Sequence, residues 1–163
     1  MKVKHLTQGA LFCALYVALC HLQNLLLPGS TSALIQVRAA EALCILAFFT
    51  PAAIGGLTLG CFLYNLTFAG ALPLDIVIGT LATLFSLICM YFFRRITVKK
   101  VPLLGLFMPI FFNGLLVGAE LTYYFGGGLP FNIFCVAAGE AIAVLVLGTG
   151  LYFSLKPHAA KLT

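Results

Sequence analysis

The chain has 163 residues, with nine Lys+Arg against four Asp+Glu for a formal net charge of +5, and it is 63% hydrophobic and 8% charged with a mean hydropathy of +1.14. Soluble domains are about 25% charged, so a soluble enzyme, a disordered tail and a nucleic-acid-binding domain are excluded. The basic residues flank long apolar runs, the pattern by which membrane proteins orient themselves.

Lys2 and Lys4 precede the apolar run 6–27. That run is longer than a signal-peptide core and carries Gln8, His21, Gln23 and Asn24, so it reads as a retained first span. Leu19 before Cys20 spoils a lipoprotein cleavage site. The remaining basic residues fall in two further clusters, Arg94/Arg95/Lys99/Lys100 and Lys156/Lys161. If all three clusters are cytoplasmic, an even number of crossings separates each from the next. The stretch 39–93 then holds three short crossings, broken at Pro51 and Pro73, since proline interrupts helices. Two more lie at 101–125 and 130–155, joined by Gly126-Gly127-Gly128.

The expected architecture is an all-α membrane protein, a single domain over residues 1–163, with helices at 6–27, 39–50, 52–69, 73–94, 101–125 and 130–155 and both termini cytoplasmic. The second helix is short for a bilayer that takes about 20 residues to cross. The segments 28–38, 70–72 and 126–129 face outside, the first being the natural lid.

All four carboxylates, Glu41, Asp75, Glu120 and Glu140, lie within or at the ends of these spans, joined by one basic residue, Arg38. An ionisable group at membrane depth costs about 2.5–3.5 kcal/mol on insertion, which makes binding or transport the first hypothesis for each. Their positions converge on the outer half of the bundle, as an outward-facing pocket requires. Each has a plainer reading beside it. Asp75 follows Pro73 closely enough to serve a helix N-terminus. Arg38 and Glu41 are one turn apart and suited to pair with each other. Asn113 suits an interhelical hydrogen bond. Asn65, Asn132 and Tyr64 carry a weaker signal, and His21 reads as interfacial. Glu120 and Glu140 have no local partner.

No P-loop, HExxH, GxSxG elbow or His/Cys cluster at metal spacing is present. The six cysteines, all in apolar segments and without a CxxC pair, read as small buried hydrophobes. Ala10, Ala14 and Ala18 form a small-residue stripe on the first helix, and Gly56/Gly60 and Gly114/Gly118 repeat the spacing on others, a pattern that lets helices approach closely.

These motifs resemble a known family. QVRAAEALCILAFFTP at 36–51 with the following AAIGGLTLGCFLYNL, PLDIVIGTLATL at 73–84, FNGLLVGAEL at 112–121 and AAGEAIAVLVLG at 137–148 are similar to the QueT family of queuosine-precursor transporters. Ala47 and Gly55-Gly56 depart from it where prolines are expected. The resemblance implies the S component of an energy-coupling-factor (ECF) importer in a bacterial cell membrane. It further implies a chain that is not an enzyme and binds no cofactor itself. It takes a 7-deazaguanine (preQ1, preQ0 or queuine) from outside and docks, through Ala10, Ala14 and Ala18, onto a membrane-embedded T subunit carried by two cytosolic ATPases that use the ATP. Gln36, Arg38, Glu41, Asp75, Asn113, Glu120 and Glu140 are the expected substrate-binding residues. A carboxylate accepts the paired donors of a guanine edge, with Glu120 and Glu140 both candidates, and Arg38 or Asn113 meets the carbonyl. Competing readings are an S component for another vitamin, a small homo-oligomeric channel, and a membrane enzyme using Glu120 and Glu140 as an acid/base pair.

Overall fold

The computed structural model describes residues 2–31, 35–68, 70–98 and 101–159. Among these it is all helical, without strands. The elements in order are α1 (Lys2–Leu26), a 3-10 helix (Ala39–Phe48), α2 (Ala52–Thr67), α3 (Asp75–Phe93), α4 (Leu103–Phe125) and α5 (Leu129–Ala141). A π-helical stretch (Ile142–Gly148) and α6 (Thr149–Leu155) continue α5 as one apolar rod, Leu129–His158. Among the described residues six helical segments result, the number expected. Four of them, α1, α3, α4 and the final rod, are long and apolar enough to cross a bilayer. The expected connection 28–38 includes residues 32–34, and the second basic cluster includes Lys99 and Lys100; these, with Ala69 and Lys161, lie outside the described residues.

The second segment departs most from expectation. AAEALCILAF is rich in good α-helix formers, yet it winds as a 3-10 helix over ten residues. The reason is packing. Every side chain from Ala40 to Phe48 is buried, so no face of this segment needs lipid or water. A 3-10 helix rises about 2.0 Å per residue against 1.5 Å for an α-helix. The tighter winding therefore lets ten residues reach about 20 Å through the middle of the bundle.

The glycine stripes are packing devices. A Cβ on Gly56 would stand 2.4 Å from the Gly9 carbonyl oxygen, and one on Gly60 2.8 Å from the Tyr16 Cβ, so α1 and α2 meet backbone to backbone. Likewise a Cβ on Gly118 would stand 2.7 Å from the Ile133 Cα, which joins α4 to α5. The alanine stripe behaves differently. Ala10, Ala14 and Ala18 are all exposed, while Phe12, Cys13, Tyr16 and Cys20 on the opposite side of α1 are buried.

Gly126 and Gly127 hold φ of 73° and 82° and end α4 with a turn into α5. Left-handed backbone of this kind favours glycine. At the far end of the bundle His5, Phe48, Tyr91, Arg94 and Ala159 line one hollow. Both ends of the described chain and the basic terminus of α3 thus share one end of the bundle.

Candidate functional site

The opposite end collects the polar residues. It is formed by the C-terminal turn of α1, the start of the 3-10 helix, the start of α3, the second half of α4 and the C-terminal half of α5. All seven residues expected to bind substrate are buried there: Gln36, Arg38, Glu41, Asp75, Asn113, Glu120 and Glu140. Gln36, Arg38, Glu41, Asn113 and Glu140 line a single small cavity, with Val117 and Val136 as its apolar walls. Its volume is about 10 Å³, room for roughly one water molecule. Asp75 and Glu120 do not line it; Asp75 is tied to it through its ion pair with Arg38.

Arg38 is the hub. Its Nη2 donates to Asp75 Oδ2 at 3.2 Å and its Nε donates to the Thr31 carbonyl oxygen at 3.3 Å. Its guanidinium lies over the Tyr64 ring, 6.0 Å from the centroid. The plainer alternative, a local pair with Glu41, is not what forms. Arg38 precedes the 3-10 helix in extended backbone, with φ of −96° and ψ of 103°, which turns its side chain off the helical face and towards α3. Asp75 begins α3 but makes no side-chain cap there; its carboxylate serves the arginine instead.

Glu41 is held by two donors. Tyr16 of α1 donates its hydroxyl to Oε1, and the Cys44 thiol approaches Oε2 at 3.1 Å. Glu140 and Asn113 line the same cavity, the Asn113 amide near the carboxylate but outside hydrogen-bonding geometry. Yet Glu140 Oε1 and Asn113 Nδ2 have no hydrogen-bond partner, nor do both oxygens of Glu120 or Asp75 Oδ1. An orphaned buried polar atom costs about 1–3 kcal/mol. The site therefore concentrates unspent hydrogen-bonding capacity, donor and acceptor alike, in one place.

Helix α1 supplies no cavity wall but fixes the walls. Gln23 donates through Nε2 to the Val37 carbonyl oxygen and to Ser30 Oγ, and its Oε1 accepts from the Ala39 N–H at 2.8 Å. Asn24 donates to the Tyr64 hydroxyl, which also contacts Thr31 Oγ1 at 2.8 Å. On the other side Gly139 admits the Gln36 backbone: a Cβ there would stand 2.2 Å from the Gln36 carbonyl oxygen. The sequence did not single out Tyr16, Gln23 or Thr31 as part of the site. A signal was present in the spacing, because Tyr16, Cys20 and Gln23 follow a four-then-three step on the face away from the alanine stripe. His21 is exposed and bonds Thr67 Oγ1, away from the cavity.

Among the described residues no group of His, Cys, Asp and Glu is arranged to hold a metal ion. A larger hollow of about 520 Å³ lies on the α1–α2 flank, lined by Leu6, Gly9, Ala10, Pro51, Gly56 and Leu59 among others. It is nearly all apolar and contains none of the carboxylates.

No curated protein and no solved structure matches the chain. The model of the QueT transporter family matches residues 6–157, nearly the whole length, and the chain belongs to that family.

Proposed function

We propose that this chain is the substrate-binding S component of an ECF importer in a bacterial cell membrane, taking up a 7-deazaguanine such as preQ1, preQ0 or queuine. The observation that carries this reading is the pair Glu140 and Asn113. One offers an unpartnered acceptor and the other an unpartnered donor, both buried and lining one cavity with Val117 and Val136. A guanine edge presents the complement: N–H donors for a carboxylate and a carbonyl for an amide donor. The valines suit the faces of a flat ring. The cavity must widen to admit it, since small-molecule pockets run to about 300 Å³ or more.

The basic end of the bundle, with Lys4, Arg94, Arg95 and Lys156, faces the cytoplasm on the positive-inside rule. Both termini are then inside, the chain forms one domain, and the polar site faces out. The exposed Ala10, Ala14 and Ala18 stripe docks onto the membrane-embedded T subunit, whose two cytosolic ATPases supply the energy. Six segments and one buried site, with no nucleotide motif, fit a binding subunit driven by partners.

The test is calorimetric titration of purified chain in lipid nanodiscs with preQ1, and with biotin, thiamine and riboflavin as comparisons. Binding of preQ1 alone, weakened ten-fold or more by Glu140→Gln, is expected, since a charge-assisted hydrogen bond contributes about 1.5–3 kcal/mol. Tight binding of a different vitamin, or an unchanged affinity for preQ1 in the Glu140→Gln protein, refutes the assignment.

A further inference from the structure

The basic end of the bundle carries positive charge that no acidic side chain of this chain balances. All four acidic side chains are buried at the other end, and the ion pair found among the described residues is that of Arg38 with Asp75. At the basic end, His5, Phe48, Phe49, Pro51, Tyr91 and Arg94 border a hollow of about 340 Å³. Arg94 is fixed in it. Its guanidinium lies 3.7 Å from the Tyr91 ring centroid, and Nη1 donates to the Tyr91 carbonyl oxygen at 2.6 Å. A guanidinium has five N–H donors, so this bond leaves most of them for a ligand. His5 brings a further nitrogen, since its Nδ1 is buried and has no hydrogen-bond partner. Lys156 stands 5.3 Å from the Tyr152 ring centroid, and that ring stacks on Phe49 of the wall.

His5 and Pro51 also border the apolar hollow of about 520 Å³ on the α1–α2 flank. The two hollows therefore share walls. The apolar one runs along α2 from Pro51 to Leu59, about 12 Å at 1.5 Å per residue. Its floor is glycine: Gly9, Gly55 and Gly56 present no side chain, and a Cβ on Gly55 would meet nothing within 4 Å. Leu6 and Leu59 stand exposed at its rim. A cationic hollow beside an apolar trough is complementary to an amphiphile with an anionic head, and arginine is suited to phosphate. Only Ala10 of the exposed alanine stripe borders the trough, so an occupant here leaves Ala14 and Ala18 uncovered.

We infer that this end binds one anionic glycerophospholipid from the leaflet that it faces. The phosphate sits in the Arg94–His5 hollow, and one acyl chain lies along the Gly9, Gly55 and Gly56 trough. A lipid held this way bridges the start of α1 to the end of α3. The inference uses no residue of the polar site and stands apart from the 7-deazaguanine reading.

The test is native mass spectrometry of the purified chain in detergent, titrated with dioleoylphosphatidylglycerol, dioleoylphosphatidylcholine and glycerol 3-phosphate. The phosphatidylglycerol is expected to bind about five-fold or more tightly than the phosphatidylcholine, the factor that one basic residue contributes at an anionic lipid surface. Glycerol 3-phosphate, which lacks the chains, is expected to bind about ten-fold or more weakly than phosphatidylglycerol. Arg94→Gln brings phosphatidylglycerol down to the phosphatidylcholine level and leaves the latter unchanged, which also reports an intact fold. Gly55→Leu fills the trough and weakens both lipids. Equal affinity of the wild-type chain for the two lipids overturns the inference, as does an Arg94→Gln protein that keeps the preference. Glycerol 3-phosphate binding as tightly as phosphatidylglycerol overturns it in favour of a small-anion site. Absence of bound lipid from the isolated chain overturns it too and leaves the hollows to a partner subunit. If a variant does not fold, the wild-type series decides.

Discussion

Gly139→Ala introduces one methyl group at the point where the Gln36 backbone presses on α5. The added Cβ would stand 2.2 Å from the Gln36 carbonyl oxygen, 2.7 Å from its carbonyl carbon and 3.0 Å from its nitrogen. The neighbour is backbone, so no rotamer change relieves the clash. Reaching ordinary contact needs a retreat of about 1 Å. Gln23 pins the adjacent Val37 and Ala39 backbone to α1, so the connection cannot slide away freely. Overpacking of this kind costs about 1–3 kcal/mol. The displaced segment carries Gln36 and Arg38 and leads into Glu41, and losing one or two polar contacts to a ligand weakens binding about 10- to 100-fold. Gly150→Ala is the matched control. Nothing lies within 4 Å of the added atom, and alanine is preferred over glycine in a helix by about 0.5–1 kcal/mol. Thermal unfolding in detergent and calorimetric titration with preQ1 read both effects. A Gly139→Ala protein with wild-type melting temperature and affinity would refute the close approach and the positioning role assigned to it.

Tyr16→Phe removes the hydroxyl that Glu41 Oε1 accepts, leaving a buried carboxylate oxygen unpartnered. A loss of about 1–3 kcal/mol in stability is expected, measured by thermal unfolding, and an unshifted transition argues against that hydrogen bond. Ala14→Leu enlarges an exposed position on α1 far from the cavity. Uptake by cells carrying the full ECF complex should be lost while binding by the isolated chain stays within about two-fold of wild type; sustained uptake removes α1 as the docking face.

The sequence revealed which residues meet but not how they pair. The positions of Glu41, Asp75, Glu120 and Glu140 follow from counting helices against a bilayer, because each acid sits at a comparable height on its own span. Their partners do not follow. Arg38 and Asp75 are 37 residues apart, and the nearer Glu41 offered itself at helical spacing. That spacing misled because Arg38 is in extended backbone and so does not share the helical face. Tyr16 was hidden among apolar neighbours, since a tyrosine on an apolar helix looks like core until its hydroxyl partner is known. The 3-10 winding of residues 39–48 was equally hidden. Local propensity favours the α-helix there, and only complete enclosure by the other helices overrides it. The two kinds of small-residue stripe are identical in spacing. They separate only when the structure shows glycines buried between helices and alanines turned outward.

The enclosed 3-10 segment has a consequence for how this protein tolerates sequence change. On an ordinary membrane-facing helix, substitutions are absorbed on the lipid side, so permissive positions recur about every 3.6 residues. From Ala40 to Phe48 there is no lipid side. Drift along this stretch is barred at consecutive positions, so variation that tunes the pocket must come from the surrounding helices while the central pillar stays fixed.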